Sequence, residues 1–451
     1  MVLFALLVGR QLWLVLVDAP ALDADARNPR RARLAVGRGS IVGRDGTPLA
    51  YTRGEKRIYP FGSAFAHAIG YASTRYGTAG LEDAFDRVLA APPATENPFE
   101  QAFEIVTGSR RQAHGSDVIT TLDADVQRAL VTGLAPYARA AGVVLDPRTG
   151  AVLALASVPS FDPNTLDADF SALRTNAQSP LLDRASLGLY PPGSTFKIVT
   201  AADALDAGIV TPQTTFDDKG SFAVGNFVVH NDEEERTGRQ TLLGAFALSS
   251  NVDFAHVAID LGVDRWFAYA ARWGLGESLE FDIPAARDRL PARDTVTPSV
   301  LAQLGFGQAS LLVTPLRMAL VAATIANAGA EPRPYLVRAI AQRDTQLATR
   351  PETLATPVAA DTALVVRDMM IAVVTHGTGA AAALPNVTVA GKTGTATNPH
   401  GRSHAWFVAF APARAPRVAV AIVVENVGYG GTFAAPIAKR VLRVALAKEG
   451  S

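Results

Sequence analysis

Residues 189–197 read Leu-Tyr-Pro-Pro-Gly-Ser-Thr-Phe-Lys, and the way this stretch divides decides the fold. Pro191 and Pro192 disfavour helix before them, whereas Ile198 to Gly208 is helix-like with a glycine stop. Ser194 is therefore expected at a helix N-terminus. Lys197 follows one turn later on the same face, about 4.5 Å along the axis at ~1.5 Å per residue. A serine hydroxyl is a poor nucleophile until a base takes its proton, and a lysine is such a base only when its pKa is lowered. Partial desolvation, the helix dipole and a second cation would each lower it. The free N–H groups of the helix start would also help to hold an oxyanion. Read alone, the pair is more readily an N-capping serine with an exposed lysine.

Two further elements change that balance. Ser249-Ser250-Asn251 lies between two apolar helical stretches, the first running from Leu242 to Leu248, and so falls on a short connection between helices. Lys392-Thr393-Gly394-Thr395 is expected to end the strand-like run Val387 to Gly391. Singly, these read as a helix cap and a glycine turn.

Around them, Leu122, Val126 and Leu130 recur on a four-residue period and mark a long helix that opens the main domain after Thr120. Gly142 to Asp146 and Ala151 to Ala156 flank Pro147-Arg148-Thr149-Gly150 as a hairpin. Val387 to Ala390, His404 to Ala411 and Arg417 to Glu425 are three more strand-like runs, followed by an amphipathic helix from about Ala434 to Leu446. This order predicts one sheet closed by the two ends of the domain, with a helical middle, 194–375, on its faces. Upstream, Gly37 to Tyr51 alternates glycine turns with short apolar runs, which predicts a small β element. Leu81, Phe85 and Leu89 share one helical face, and the proline-containing stretch 91–97 reads as a linker.

Composition bounds the function. The 451 residues are about half apolar, enough for one large core and a smaller second one. Lys+Arg and Asp+Glu are equal at 42 each, so the basic excess of a phosphate-neutralising protein is missing and no nucleic-acid partner is expected. Without cysteine there is no disulfide, thiolate metal site or cysteine nucleophile. Val2 to Val17 is apolar except for Gly9, Arg10 and Gln11. It is short for a span of roughly 20 residues, and no small-x-small cleavage site follows it. It is expected to be a membrane anchor truncated at Met1, the outer part of a longer span, ahead of the alternatives of an interfacial or buried helix and a cleaved signal.

All three short motifs, in this order and spacing, are the set known for penicillin-binding proteins and class A β-lactamases. The chain resembles the class B penicillin-binding proteins, most of all the actinobacterial penicillin-binding protein A type. Further runs carrying the resemblance are GRGSIVGRDGTPLA (37–50), YGTAGLEDAFD (76–86), GVVLDPRTGAVLALASVPSFDPN (142–164), GFGQASLLVTPLRMA (305–319), VVTHGTG (373–379) and AGKTGTA (390–396).

The resemblance implies an α/β (α+β) fold. Residues 116–451 would form a transpeptidase domain with a central antiparallel five-stranded sheet flanked by helices. Residues 18–115 would be a small β-rich dimerisation or pedestal domain, and residues 1–17 the anchor. It implies a peptidoglycan D,D-transpeptidase, inhibited covalently by β-lactams, on the outer side of a bacterial cell membrane. By the same resemblance, Ser194 attacks the penultimate D-alanyl carbonyl of a stem peptide and Lys197 takes its proton. Ser249 relays a proton to the leaving D-alanine, and Asn251 holds the peptide amide and orients Lys197. Lys392, Thr393 and Thr395, with Gly394 between them, bind the terminal carboxylate, and the N–H groups of Ser194 and Thr395 form the oxyanion hole. No cofactor and no metal are implied. The implied partner is a polytopic glycosyltransferase of the shape, elongation and division type.

Other residues are not promoted. His230, His376, His400 and His404 lack metal-ligand spacing and read as surface or packing residues. Asp232 to Glu235 reads as a solvated loop near the cleft mouth. Trp406 and Phe407 alternate on a strand, so one is expected in the core and the other at the cleft rim. The rivals are a D,D-carboxypeptidase, in which water accepts the acyl group, and a non-catalytic β-lactam sensor or scaffold. A class A β-lactamase is disfavoured, because no glutamate in an E-x-x-x-N context follows Asn251.

Overall fold

The computed structural model describes residues 37–90, 114–232, 235–342, 345–398 and 401–448. The anchor expected over 1–17, the linker over 91–97 and His400 lie outside them. No helix among the described residues is long and apolar enough to cross a membrane. The described residues divide into two compact units, the first comprising those up to 120 with those of 161–173 and 337–349, the second the remainder. A single cut near residue 115 was expected; instead, two segments from the later chain belong with the first unit.

In the first unit, the strands Ile41–Val42, Pro48–Arg53, Lys56–Ile58, Asp117–Thr120, Val337–Gln342 and Thr345–Ala348 form one six-stranded sheet. All pairings in it are antiparallel except Ile41–Val42 beside Asp117–Thr120. The hairpin at Asp45-Gly46 follows from glycine, since Gly46 has φ +85°. The helical face of Leu81 and Leu89 is buried, but the helix breaks at Phe85 into Gly80–Ala84 and Asp86–Leu89. Glu82 sits at its centre with no side-chain exposure, bonded to Arg38 Nε and Arg57 Nε at 2.7 Å each. The segment 161–173 is sewn in by Asn164, which exchanges hydrogen bonds with the Tyr59 backbone at 2.9 and 3.0 Å.

The second unit is built on strands β1 (Ala140–Leu145), β2 (Val152–Val158), β3 (Ala390–Ala396), β4 (His404–Ala411) and β5 (Val418–Val424). They pair antiparallel in the order β3-β4-β5-β1-β2, so the first and last of these strands in sequence meet where Ala419 faces Leu145. Every residue of β4 and β5 is buried, which explains why they read as continuous apolar runs rather than alternating ones.

Seven helices of this unit matter for the site: α1 (Ala124–Leu134), α2 (Lys197–Asp206), α3 (Leu242–Leu248), α4 (Asn251–Leu261), α5 (Pro315–Ala326), α6 (Ala360–His376) and α7 (Gly430–Lys448). Helices α1 and α7 cover one face of the sheet, where Leu130, Phe407, Ile422 and Leu442 share a core. Gly133 allows their close approach, because a Cβ there would lie 2.7 Å from Ile437 Cγ2. Helix α5 packs on β4, β5 and β1. The middle is not purely helical as expected. It also holds the paired strands Thr215–Asp218 with Gly238–Thr241 and Ser221–Val224 with Phe227–His230.

Candidate active site

The Ser194 turn is pinned on several sides. Tyr190 exchanges two backbone hydrogen bonds with Val313, at 3.0 and 2.9 Å, and the Gly193 N–H donates to Gly307 O at 2.9 Å. The Trp406 indole donates to Pro191 O at 3.0 Å, and the Tyr190 hydroxyl to Glu425 Oε1 at 2.8 Å. Gly193–Phe196 form one 3₁₀ turn that runs straight into α2, so Ser194 precedes the first α-helical residue, Lys197, instead of standing inside the helix. Gly193 has φ +53°, and a Cβ on it would lie 2.9 Å from Thr395 O. Only glycine lets this turn approach β3 so closely.

The second motif is a tight link between helices. Ser249 ends α3 in the left-handed conformation, φ 66° and ψ 35°, which costs a non-glycine residue about 1–2 kcal/mol. The turn is closed by the Ser249 N–H on Phe246 O at 3.2 Å and the Ser250 N–H on Ala245 O at 2.9 Å. Ser250 Oγ then caps α4 by accepting from Asp253 N at 3.0 Å.

Two fully buried lysines converge on that turn. Lys197 Nζ donates to Ser249 O at 2.5 Å, Ser249 Oγ at 3.3 Å and Asn251 Oδ1 at 2.8 Å. Lys392 Nζ donates to the same Ser249 Oγ at 2.8 Å and to Thr393 O at 3.1 Å. Among the described residues no carboxylate lies within ion-pair distance of either ammonium. Each instead sits over an aromatic ring, Lys197 5.5 Å from Phe254 and Lys392 5.6 Å from Phe246. Burial lowers Lys197 to about 7, against the opposing charges of Asp232, Asp253 and Asp218. Burial, then the charge of Lys197, holds Lys392 well below its ordinary value. A hydroxyl has two acceptor lone pairs and one proton. With both ammoniums on its oxygen, Ser249 keeps its O–H as a donor.

The third motif lies within strand β3, not after it. Lys392 faces Val408, Thr393 faces Phe407, Gly394 faces Trp406 and Thr395 faces Ala405 across the pair with β4. β3 is the edge strand, which leaves one side of its backbone unpaired with another strand. Gly394 allows contact with the Ser194 turn, since a Cβ there would lie 2.9 Å from Thr195 Cγ2. Neither Trp406 nor Phe407 lies at a rim as expected. Phe407 belongs to the core under α7, and Trp406, also fully buried, lies beneath the Ser194 turn against Tyr190.

Ser194, Ser249, Thr393 and Thr395 line one cleft of about 380 Å³. Thr378, Tyr429 and Thr432 line it too and escaped the sequence reading. Thr378 bonds Thr393 hydroxyl to hydroxyl at 2.5 Å; its run, VVTHGTG, supported the resemblance without suggesting a site residue. Asp232 and Glu235 are exposed on the cleft wall, while Glu233 and Glu234 lie outside the described residues. His230 contributes only its carbonyl, accepting from Asn251 Nδ2 at 3.0 Å. His376 is exposed beside Thr375, and His404 packs against Tyr190. A larger groove of about 680 Å³ between α1 and α7 holds none of the motif residues.

The Ser194 turn, the Ser249 turn and the two buried lysines thus gather at one cleft. Comparison with known proteins gives the family. The family described as the penicillin binding protein transpeptidase domain matches residues 140–443, and the penicillin binding protein A dimerisation domain matches residues 38–118. The peptidoglycan D,D-transpeptidase PbpA of Mycolicibacterium smegmatis is 37% identical, over 100% of this chain and 98% of its own length. Its Mycobacterium tuberculosis counterpart is 34% identical over 100% and 97%. The M. tuberculosis penicillin-binding protein A, solved as a penicillin G acyl-enzyme complex, superposes with TM-score 0.82 at 32% identity over 91% of this chain and all of that one. The D,D-transpeptidase domain of an Eggerthella lenta peptidoglycan glycosyltransferase gives TM-score 0.82 at 34% identity, covering 92% and 99%. Motifs, sheet order and whole-chain similarity thus coincide, and the chain belongs to the penicillin-binding protein transpeptidase family.

Proposed function

We propose that this chain cross-links peptidoglycan as a D,D-transpeptidase through an acyl-enzyme on Ser194. The observation that carries the reading is the pair of buried lysines meeting at Ser249 next to the Ser194 turn, one lowered by burial to about 7. A lysine in that range is a base near neutrality. Ser194 Oγ attacks the penultimate D-alanyl carbonyl of a stem peptide while Lys197 takes its proton. The tetrahedral oxyanion rests on the N–H groups of Ser194 and Thr395. When the C–N bond breaks, Ser249 passes its proton to the departing amine of D-alanine and regains one from Lys197, leaving an ester on Ser194 and Lys197 neutral again. An acceptor amine then attacks the ester and loses a proton to Lys197, which returns it to the Ser194 oxygen as the new amide forms and the serine is released.

Asn251, bonded to Lys197 at 2.8 Å, orients that base and holds the peptide amide. Lys392, Thr393 and Thr395 take the terminal carboxylate, with Gly394 bringing them up to the turn. A β-lactam offers the same carboxylate beside a strained amide. Its leaving fragment stays tethered where an acceptor would enter, so the adduct persists.

The finer assignments rest on other supports. The match of residues 38–118 to a dimerisation domain favours that role for the N-terminal region assigned to 18–115, ahead of the transpeptidase region assigned to 116–451. The apolar run Val2 to Val17 favours a membrane anchor, with the catalytic region outside the cell. The resemblance to class B penicillin-binding proteins favours a polytopic glycosyltransferase of the shape, elongation and division type as partner.

Fluorescent penicillin followed by mass mapping tests the reading. The adduct is expected on the peptide that contains Ser194, lasting many minutes, and absent from Ser194→Ala. Labelling of Ser194→Ala at the wild-type level, or loss of the adduct within seconds with turnover of the drug, would overturn it.

A further inference from the structure

Behind the Ser249-Ser250-Asn251 turn lies a buried polar relay that no motif marks. Asp218 ends the strand Thr215–Asp218 and is 1% exposed. Its carboxylate is saturated. Oδ1 accepts from Gly220 N at 2.7 Å, and Oδ2 from Asn231 Nδ2 at 2.6 Å, Thr237 Oγ1 at 2.6 Å and Ser250 Oγ at 2.8 Å. Burial alone would push this carboxyl up, but the four donors outweigh it and hold it below its ordinary value.

Asp218 decides which way the Asn231 amide faces. With Nδ2 committed to the carboxylate and to Glu235 O at 2.9 Å, Oδ1 must point the other way. There it accepts from Asn251 N at 2.8 Å and Val252 N at 3.1 Å, the first amides of α4. The neighbouring His230 carbonyl accepts from Asn251 Nδ2, which leaves Asn251 Oδ1 for Lys197 Nζ at 2.8 Å. The hydrogen-bond polarity thus runs without a break from Asp218 through Asn231 and Asn251 to the base.

We propose that Asp218 and Asn231 are positioning residues for the acylation step, setting the place and orientation of Asn251 and hence of the Lys197 ammonium. The proposal rests on the reading of Ser194 as nucleophile and Lys197 as base. A misplacement on the order of 1 Å at a reacting group can cost about a hundredfold in rate. The charged groups facing Lys197 are Asp218, Asp232, Asp253 and Lys392. The negative charge of Asp218 raises Lys197, so its removal lowers the base further.

The test is the rate of acylation by penicillin, resolved into initial binding and the chemical step and followed across pH, for the full chain and Asp218→Asn. The variant keeps the shape but places an amide donor among donors. Its chemical step is expected to slow by roughly tenfold to a hundredfold with initial binding unchanged. The acid limb of its pH profile is expected to move to lower pH. Gln127→Leu is the control for lost stability, since it removes buried hydrogen bonds to Leu155 on the α1 side of the sheet. It should lower the melting temperature and leave the acid limb in place. Equal rates and an unmoved limb in a folded Asp218→Asn would overturn the proposal. Should that variant not fold, Ser250→Ala removes one bond from the same carboxylate; it should acylate about tenfold more slowly, and wild-type acylation by it would overturn the proposal. Adduct formation on Ser194 of the wild type is read separately, so failure of the underlying reading is distinguishable.

Discussion

The charge cluster around Glu82 in the first unit and the lysine pair at Ser249 in the second are wired in opposite ways. In the first unit, Glu82 accepts from Arg38 and Arg57 at 2.7 Å each and from the Tyr59 hydroxyl at 3.3 Å, and Arg38 also reaches Asp86 at 2.7 Å. Each charge there has an opposite charge bonded to it. In the second unit, two ammoniums share the Ser249 hydroxyl, and the carboxylates that act on Lys197 stand off without bonding it. Paired burial fixes a structure, because removing one partner strands the other. Unpaired burial of like charges shifts protonation instead, which is what proton transfer requires. The difference separates a structural cluster from a reactive one without reference to any motif.

The comparison breaks most visibly at Lys197. Lys197→Ala should fold normally by circular dichroism, yet lose roughly 10²- to 10⁴-fold in the rate of penicillin acylation, the usual worth of a general base. Glu82→Gln should do the reverse. It leaves the buried Arg57 guanidinium without a countercharge and Arg38 with Asp86 alone, which costs about 3–5 kcal/mol in chemical denaturation, while the folded protein acylates at the wild-type rate. A large acylation defect in Glu82→Gln, or a large stability defect in Lys197→Ala, would erase the distinction.

Smaller effects sharpen it within the second unit. Gly394→Ala would place a Cβ 2.9 Å from Thr195 Cγ2 and 3.0 Å from Pro192 O. Overpacking of this kind costs about 1–3 kcal/mol, and here it should push β3 from the Ser194 turn and slow acylation more than it lowers the melting temperature. Thr378→Val removes the hydroxyl bonded to Thr393. A hydrogen bond of this sort is worth about 0.5–1.5 kcal/mol, so affinity for a carboxylate-bearing β-lactam should fall by about twofold to tenfold.

Much of the second unit was legible because its signals are local or strongly periodic. The apolar runs of β4 and β5, the hairpin at Pro147 to Gly150 and the proline break before Ser194 each follow from a few neighbouring residues. The three motifs could be ordered but not assembled, since the meeting of Lys197 and Lys392 at Ser249 spans 143 residues between Lys392 and Ser249. Asp218 and Asn231 were missed for the same reason. Their hydrogen bonds join two strands to a helix start, and nothing in Asp217-Asp218-Lys219 distinguishes the buried carboxylate from its exposed neighbour. The recruitment of 161–173 and 337–349 into the first unit was equally silent. Strand pairing between distant segments leaves no periodicity of its own. The two sheet faces also mattered: alternation put one of Trp406 and Phe407 at a rim, but both faces of β4 are covered, so both rings are buried.

The central claim is that burial without a paired carboxylate makes Lys197 a neutral base near physiological pH. The rate of acylation of the wild-type chain by penicillin, measured from about pH 5 to about pH 10, tests it most directly. A lysine accepts a serine proton only when it is uncharged, so with Lys197 lowered to about 7 the proposed role predicts a rate that climbs with pH through an acid limb centred there. A rate that stays flat from about pH 5 to about pH 8, or that rises only above about pH 9, would contradict the claim, because Lys197 would then be either unused as a base or an ordinary, charged lysine.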